Sequence, residues 1–105
     1  MAIVNHQVAI STGRRFASRV RAEIDSSALV LLFGSAVRGE MTFRSDIDIA
    51  VVSKAFGDNL PENFAQLALI AYGIDAEIEP HPFSLESWNA KTPFISEIEK
   101  TGVLL

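Results

Sequence analysis

The chain has 105 residues, 49% of them apolar, with a net charge of −4 and no cysteine. That length fits a single domain over 1–105 with one modest core, and the apolar fraction excludes a disordered segment. The acidic balance argues against a nucleic-acid partner, the lack of Cys excludes disulfides and thiolate metal sites, and no apolar run approaches the roughly 20 residues of a membrane helix.

In chain order, residues 1–8 lack the basic start and apolar core of a signal peptide, so the expected location is the cytoplasm. Helical periodicity begins near Ser11 and Thr12, either able to cap, with Phe16, Ala17, Val20 and Ile24 as the apolar stripe. Residues 28–33 form a continuous apolar run, the pattern of a strand covered on both faces, and it stops at Gly34-Ser35. Residues 46–52 read as a second strand with strict alternation at its start. Asn59 and Pro61 open a helix whose apolar face includes Phe64, Leu67 and Ile70 and which Gly73 ends. Residues 74–83 form a third extended segment, and Pro80 and Pro82 assign it to a sheet edge or a strand end. Thr92-Pro93 opens a short last helix that stops near Gly102. The order helix, strand, turn, strand, helix, strand, helix is that of an α+β domain.

Asp46 and Asp48 stand two residues apart on a strand, so both side chains leave the same face, close enough to share one cation. Like charges at that spacing repel, and a divalent ion removes the repulsion. An isolated pair of this kind is more readily a solvated strand edge with Ile47 and Ile49 turned inward. Gly34-Ser35 alters that balance, because glycine admits a close backbone approach and a following helix start offers unpaired N–H groups to phosphate. The Ser35 hydroxyl adds a donor, and Arg38, one turn on, presents a planar fork suited to phosphate oxygens. On the third extended segment, Asp75, Glu77 and Glu79 share one face if the strand is regular. His6 is read as a surface residue, and His81, between Pro80 and Pro82, as a turn-exposed imidazole ahead of the alternative that it approaches the site. Trp88 and Phe94 are read as packing against the sheet or at a partner interface.

The run Gly34-Ser35-Ala36-Val37-Arg38-Gly39, followed by Ser45-Asp46-Ile47-Asp48, resembles the Gly-Ser-x-x-Arg-Gly…Ser-Asp-Ile-Asp motif of the minimal nucleotidyltransferases. These belong to the DNA polymerase β-like superfamily and include antitoxins of HEPN/MNT toxin–antitoxin systems. The resemblance implies a small mixed β-sheet flanked by about four helices. It implies nucleotide-binding roles for Gly34, Ser35, Arg38, Gly39 and Ser45, and metal-binding and catalytic roles for Asp46 and Asp48. A third carboxylate is expected from the next strand. The family form, an acid between apolar residues before a proline, favours Glu77, with Asp75 as its alternative and Glu79 on the same face.

The implied reaction moves a nucleoside monophosphate, AMP from ATP foremost, onto a hydroxyl with Mg²⁺, two ions being the family pattern. The implied acceptor is a tyrosine of a partner HEPN-type toxin, and the implied role is that of an antitoxin. A nucleotide-binding antitoxin that neutralises its partner by contact alone, and a small-molecule enzyme of the aminoglycoside type, are the other readings. The second of these ordinarily carries an added helical domain. A homo-oligomer is a further possible assembly.

Overall fold

The computed structural model describes residues 6–39, 46–57 and 59–105. Helix α1 (His6–Glu23) comes first, then strand β1 (Leu29–Phe33) and the single-turn helix α2 (Ser35–Arg38). Strand β2 (Ile47–Val52), helix α3 (Leu60–Tyr72) and strand β3 (Ile78–Phe83) form a crossover unit, followed by α4 (Leu85–Asn89), α5 (Pro93–Thr101) and strand β4 (Val103–Leu104). The strands make one mixed sheet in the order β3-β2-β1-β4. β1 is antiparallel to both β2 and β4, whereas β2 and β3 are parallel. A parallel pair needs a long connection, and α3 supplies it.

Both faces of the sheet are covered, as the unbroken apolar run of β1 requires. Val30, Leu32, Ile47, Ile49, Val51 and Ile78 point to one face, where Phe16, Ala17 and Val20 of α1 and Leu67, Ile70 and Ala71 of α3 pack on them. Leu31, Phe33, Ala50 and Val52 point to the other, beneath Trp88 of α4 and Ile95 and Ile98 of α5. Pro80 and Pro82 lie on β3, an edge strand, where a missing N–H is tolerated.

The helix boundaries follow local chemistry. Asn59 accepts from the Glu62 amide at the start of α3, and Thr92 accepts from the Ile95 amide at the start of α5, each helix having Pro at its first positions. Three features depart from the sequence reading. α1 begins one turn earlier than Ser11, with its first turn held by a contact between His6 Nδ1 and the Ala36 carbonyl at 2.9 Å. α4 and β4 are additional elements, making five helices among the described residues rather than about four. β3 begins at Ile78, so Asp75, Ala76 and Glu77 lie in the turn that precedes it.

Candidate active site

β1 ends at Phe33, and its antiparallel partner across the sheet is Asp48, which in turn pairs in parallel with Glu79. Residues in register leave the same face. One row of the sheet therefore carries Phe33, Asp48 and Glu79, and the next carries Leu31, Ala50 and His81. Asp46, two residues before Asp48, lies at the same end of the sheet, and its carboxyl is in hydrogen-bonding contact with that of Glu79.

Gly34 follows Phe33 directly, at φ +78 and ψ −146, a conformation open to glycine. A Cβ there would lie 2.6 Å from Oδ2 of Asp48, so only a glycine lets this turn sit against the carboxylate. The turn and the aspartates thus occupy one side of the sheet. α2 begins at Ser35, and the first amides of a helix have no acceptor within it. Gly39 ends α2 in the left-handed region at φ +73, its amide bonded to the Ser35 carbonyl, while Arg38 is exposed in the last turn. Ser45 lies outside the described residues.

His81 Nε2 stands 3.2 Å from Asp48 Oδ1 and donates to it as N–H. Its ring meets Phe33 edge-on, with centroids 5.0 Å apart. Among the described residues, Asp48, Glu79 and His81 form a group able to hold a metal ion, with one ligand atom from each lying within 4.8 Å of the others. The Glu79 carboxyl is raised above its ordinary value, first by its hydrogen bond to Asp46, then by burial and by the charges of Asp48 and Asp46, against an opposing pull from His81. Carboxylates crowded in this way have the donor set and the electrostatic need of a hard divalent cation, so the residues present fit one.

Glu77 is exposed on the turn, where its amide donates to Asp75 Oδ1 and its carbonyl accepts from Ile47. The structure therefore brings Glu79, not Glu77 or Asp75, beside Asp48. His81 also joins the cluster, on β3 rather than in a turn. The signal for both was the Glu-x-His spacing of an alternating strand, hidden by the prolines on either side of His81.

Two clefts meet at this cluster. One, of about 310 Å³, is lined by Phe33, Gly34, Arg38, Asp48 and Phe94. The other, of about 510 Å³, is lined chiefly by Pro61, Phe64, Pro82, Phe83 and Phe94, with Glu79 and His81 as its polar groups. Both fall in the size range of small-ligand sites. A larger groove of about 650 Å³ runs along α1 beside Arg14 and Arg15 and contains none of these groups.

A glycine turn set against clustered carboxylates at one end of a mixed, two-faced sheet defines a small α+β domain with a cleft beside a group able to hold a metal ion. The sequence matches the family model Polymerase beta, Nucleotidyltransferase, over residues 20–105. The chain belongs to this polymerase β-like nucleotidyltransferase family. Among solved structures it is similar to a chain in a crystal structure of a mutant of the toxin–antitoxin MntA–HpeT, with a TM-score of 0.61 and 29% identity, covering 88% of this chain and 69% of that one. Among curated proteins none matches it by sequence. No helix among the described residues is long and apolar enough to cross a membrane.

Proposed function

We propose that this chain transfers a nucleoside monophosphate, AMP from ATP foremost, to a hydroxyl on a protein partner, and that the partner is a HEPN-type toxin which it thereby neutralises. The observation that carries the reading is the meeting of the Gly34 turn with Asp48, Glu79 and Asp46 at the junction of two clefts. The likeness to a chain of the MntA–HpeT toxin–antitoxin supports the choice of a toxin as partner.

In this reading the cleft beside Gly34 and Arg38 takes the triphosphate. The Ser35 hydroxyl and the first amides of α2 donate to phosphate oxygens, and the Arg38 guanidinium offsets their charge. Asp46, Asp48 and Glu79 hold divalent cation, Mg²⁺ or its like, with Glu79 in the place that sequence alone gave to Glu77. Such an ion, when bound, neutralises phosphate charge and lowers the pKa of the attacking hydroxyl. The acceptor enters from the apolar cleft of Phe64, Phe83 and Phe94, so that its oxygen meets the α-phosphorus beside Glu79. The new P–O bond forms as the bond to pyrophosphate breaks, and a carboxylate of the cluster takes the hydroxyl proton. Positioning and charge neutralisation supply most of the acceleration.

The test is incubation of the chain with labelled ATP, a divalent cation and a HEPN-type toxin. Label is expected on the toxin. Asp48→Asn should remove several kcal/mol of transition-state stabilisation, roughly a hundredfold or more in rate, with a smaller loss for Arg38→Ala. A toxin that is neutralised but unlabelled would place the chain among contact-only antitoxins. Label on an aminoglycoside with none on protein would identify a small-molecule enzyme.

A further inference from the structure

His81 is not needed to explain a carboxylate site for a hard cation, yet it faces the cluster. Its ring is propped edge-on against Phe33, and Nε2 points at Asp48 Oδ1 from 3.2 Å. Two ligands at right angles about one ion, each with a bond of about 2.1–2.2 Å, stand roughly 3 Å apart. The observed separation is therefore that of neighbouring ligands as well as that of a hydrogen bond. Glu79 also comes within reach of the same ring, which a hydrogen bond serving Asp48 alone would not require. The Gly34 turn lies against Asp48 Oδ2, whereas the oxygen that meets His81 is Oδ1.

We propose that His81 Nε2 is a ligand of the cation held by Asp48 and Glu79, and that this nitrogen gives the site a preference for Mn²⁺ over Mg²⁺. The inference rests on the metal-dependent reading above and extends it to the identity of the ion. The ion takes the place of the proton between Nε2 and the carboxylate, and the imidazole binds as its neutral Nδ1–H tautomer. Imidazole nitrogen suits first-row transition ions, whereas Mg²⁺ favours oxygen and gives up water reluctantly.

Binding is read on the full chain with the metal alone, by titration with Mn²⁺ and competition with Mg²⁺, and by pulsed electron paramagnetic resonance of the bound Mn²⁺. The wild-type spectrum should contain coupling to a directly bound nitrogen. His81→Asn should weaken Mn²⁺ binding about tenfold while changing Mg²⁺ binding by no more than about twofold. Bound Mn²⁺ without nitrogen coupling in the wild type overturns the inference, and that result is independent of how the variant folds. Equal Mn²⁺ affinity in wild type and His81→Asn overturns it as well. If Asp48→Asn abolishes binding in either case, the carboxylate site stands without the histidine. If Asp48→Asn binds as wild type does, the metal-site reading fails, and with it the inference.

Discussion

Gly34 meets two constraints at once: a backbone conformation closed to most side chains, and a carboxylate where a Cβ would stand. Gly34→Ala should therefore cost about 1–3 kcal/mol from the backbone alone. It should also displace Asp48, so that divalent-ion affinity falls with stability. Denaturant unfolding and ion titration check the two effects separately, and a variant unchanged in both contradicts the account. This glycine and the two aspartates were legible in the sequence because fixed local spacing defines them. The carboxylate that β3 sets beside Asp48 was not, because its identity depends on where β3 begins. Asp75 uses its side chain to accept the Glu77 amide and its carbonyl to accept the Ile78 amide, so a turn consumes the first acidic residues and delays the strand. Only then does register with β2 set Glu79, rather than Glu77, opposite Asp48.

At the scale of elements, what could be read was what local chemistry specifies: the caps Asn59 and Thr92, the prolines after them, and the apolar runs of β1 and β2. α4 has five residues and β4 two, too few to show a period, and β4 exists through its pairing with Leu31 and Leu32. Another tertiary feature joins the α1–β1 turn to the end of β2. Asp25, only 8% exposed, accepts from the Ser27 amide and hydroxyl through Oδ1 and from the buried Ser53 hydroxyl through Oδ2, at 2.9, 2.7 and 2.6 Å. These bonds favour the ionised carboxylate, Ser53 contributing most, and hold its pKa down to about 2. A carboxylate depressed in the folded state adds stability that is complete above its unfolded value, about 3.9, and is lost as pH falls toward the folded value. Asp25→Ala should be less stable than wild type at neutral pH and should lose less stability between about pH 4 and pH 2. Melting curves across that interval decide the matter, and parallel acid limbs for the two proteins would contradict it.

Across the whole molecule, helices on both faces of the sheet fix the backbone beneath the cluster, so its carboxylates are held together by the fold rather than by attraction for one another. The Glu79 carboxyl is raised first by its hydrogen bond to Asp46, then by burial and by the neighbouring carboxylate charges, as crowding of this kind requires. A carboxyl raised in the folded state contributes fully at pH below its unfolded value, and its contribution is lost as pH rises through the folded value. At neutral pH the ionised Glu79 therefore opposes folding when no cation is present. Because the group is exposed and screened, the penalty is small. Glu79→Gln should thus melt slightly higher than wild type in a chelator. Ion binding to the folded state alone adds about 2.7 kcal/mol at a hundredfold excess over Kd, roughly 10–20 °C for a domain of this size. Wild type should gain that increment on addition of Mn²⁺, and Glu79→Gln should lose most of it, so that the order of the two melting temperatures reverses. If the variant melts lower in chelator and still gains the full increment with Mn²⁺, Glu79 is neither the source of the repulsion nor a ligand.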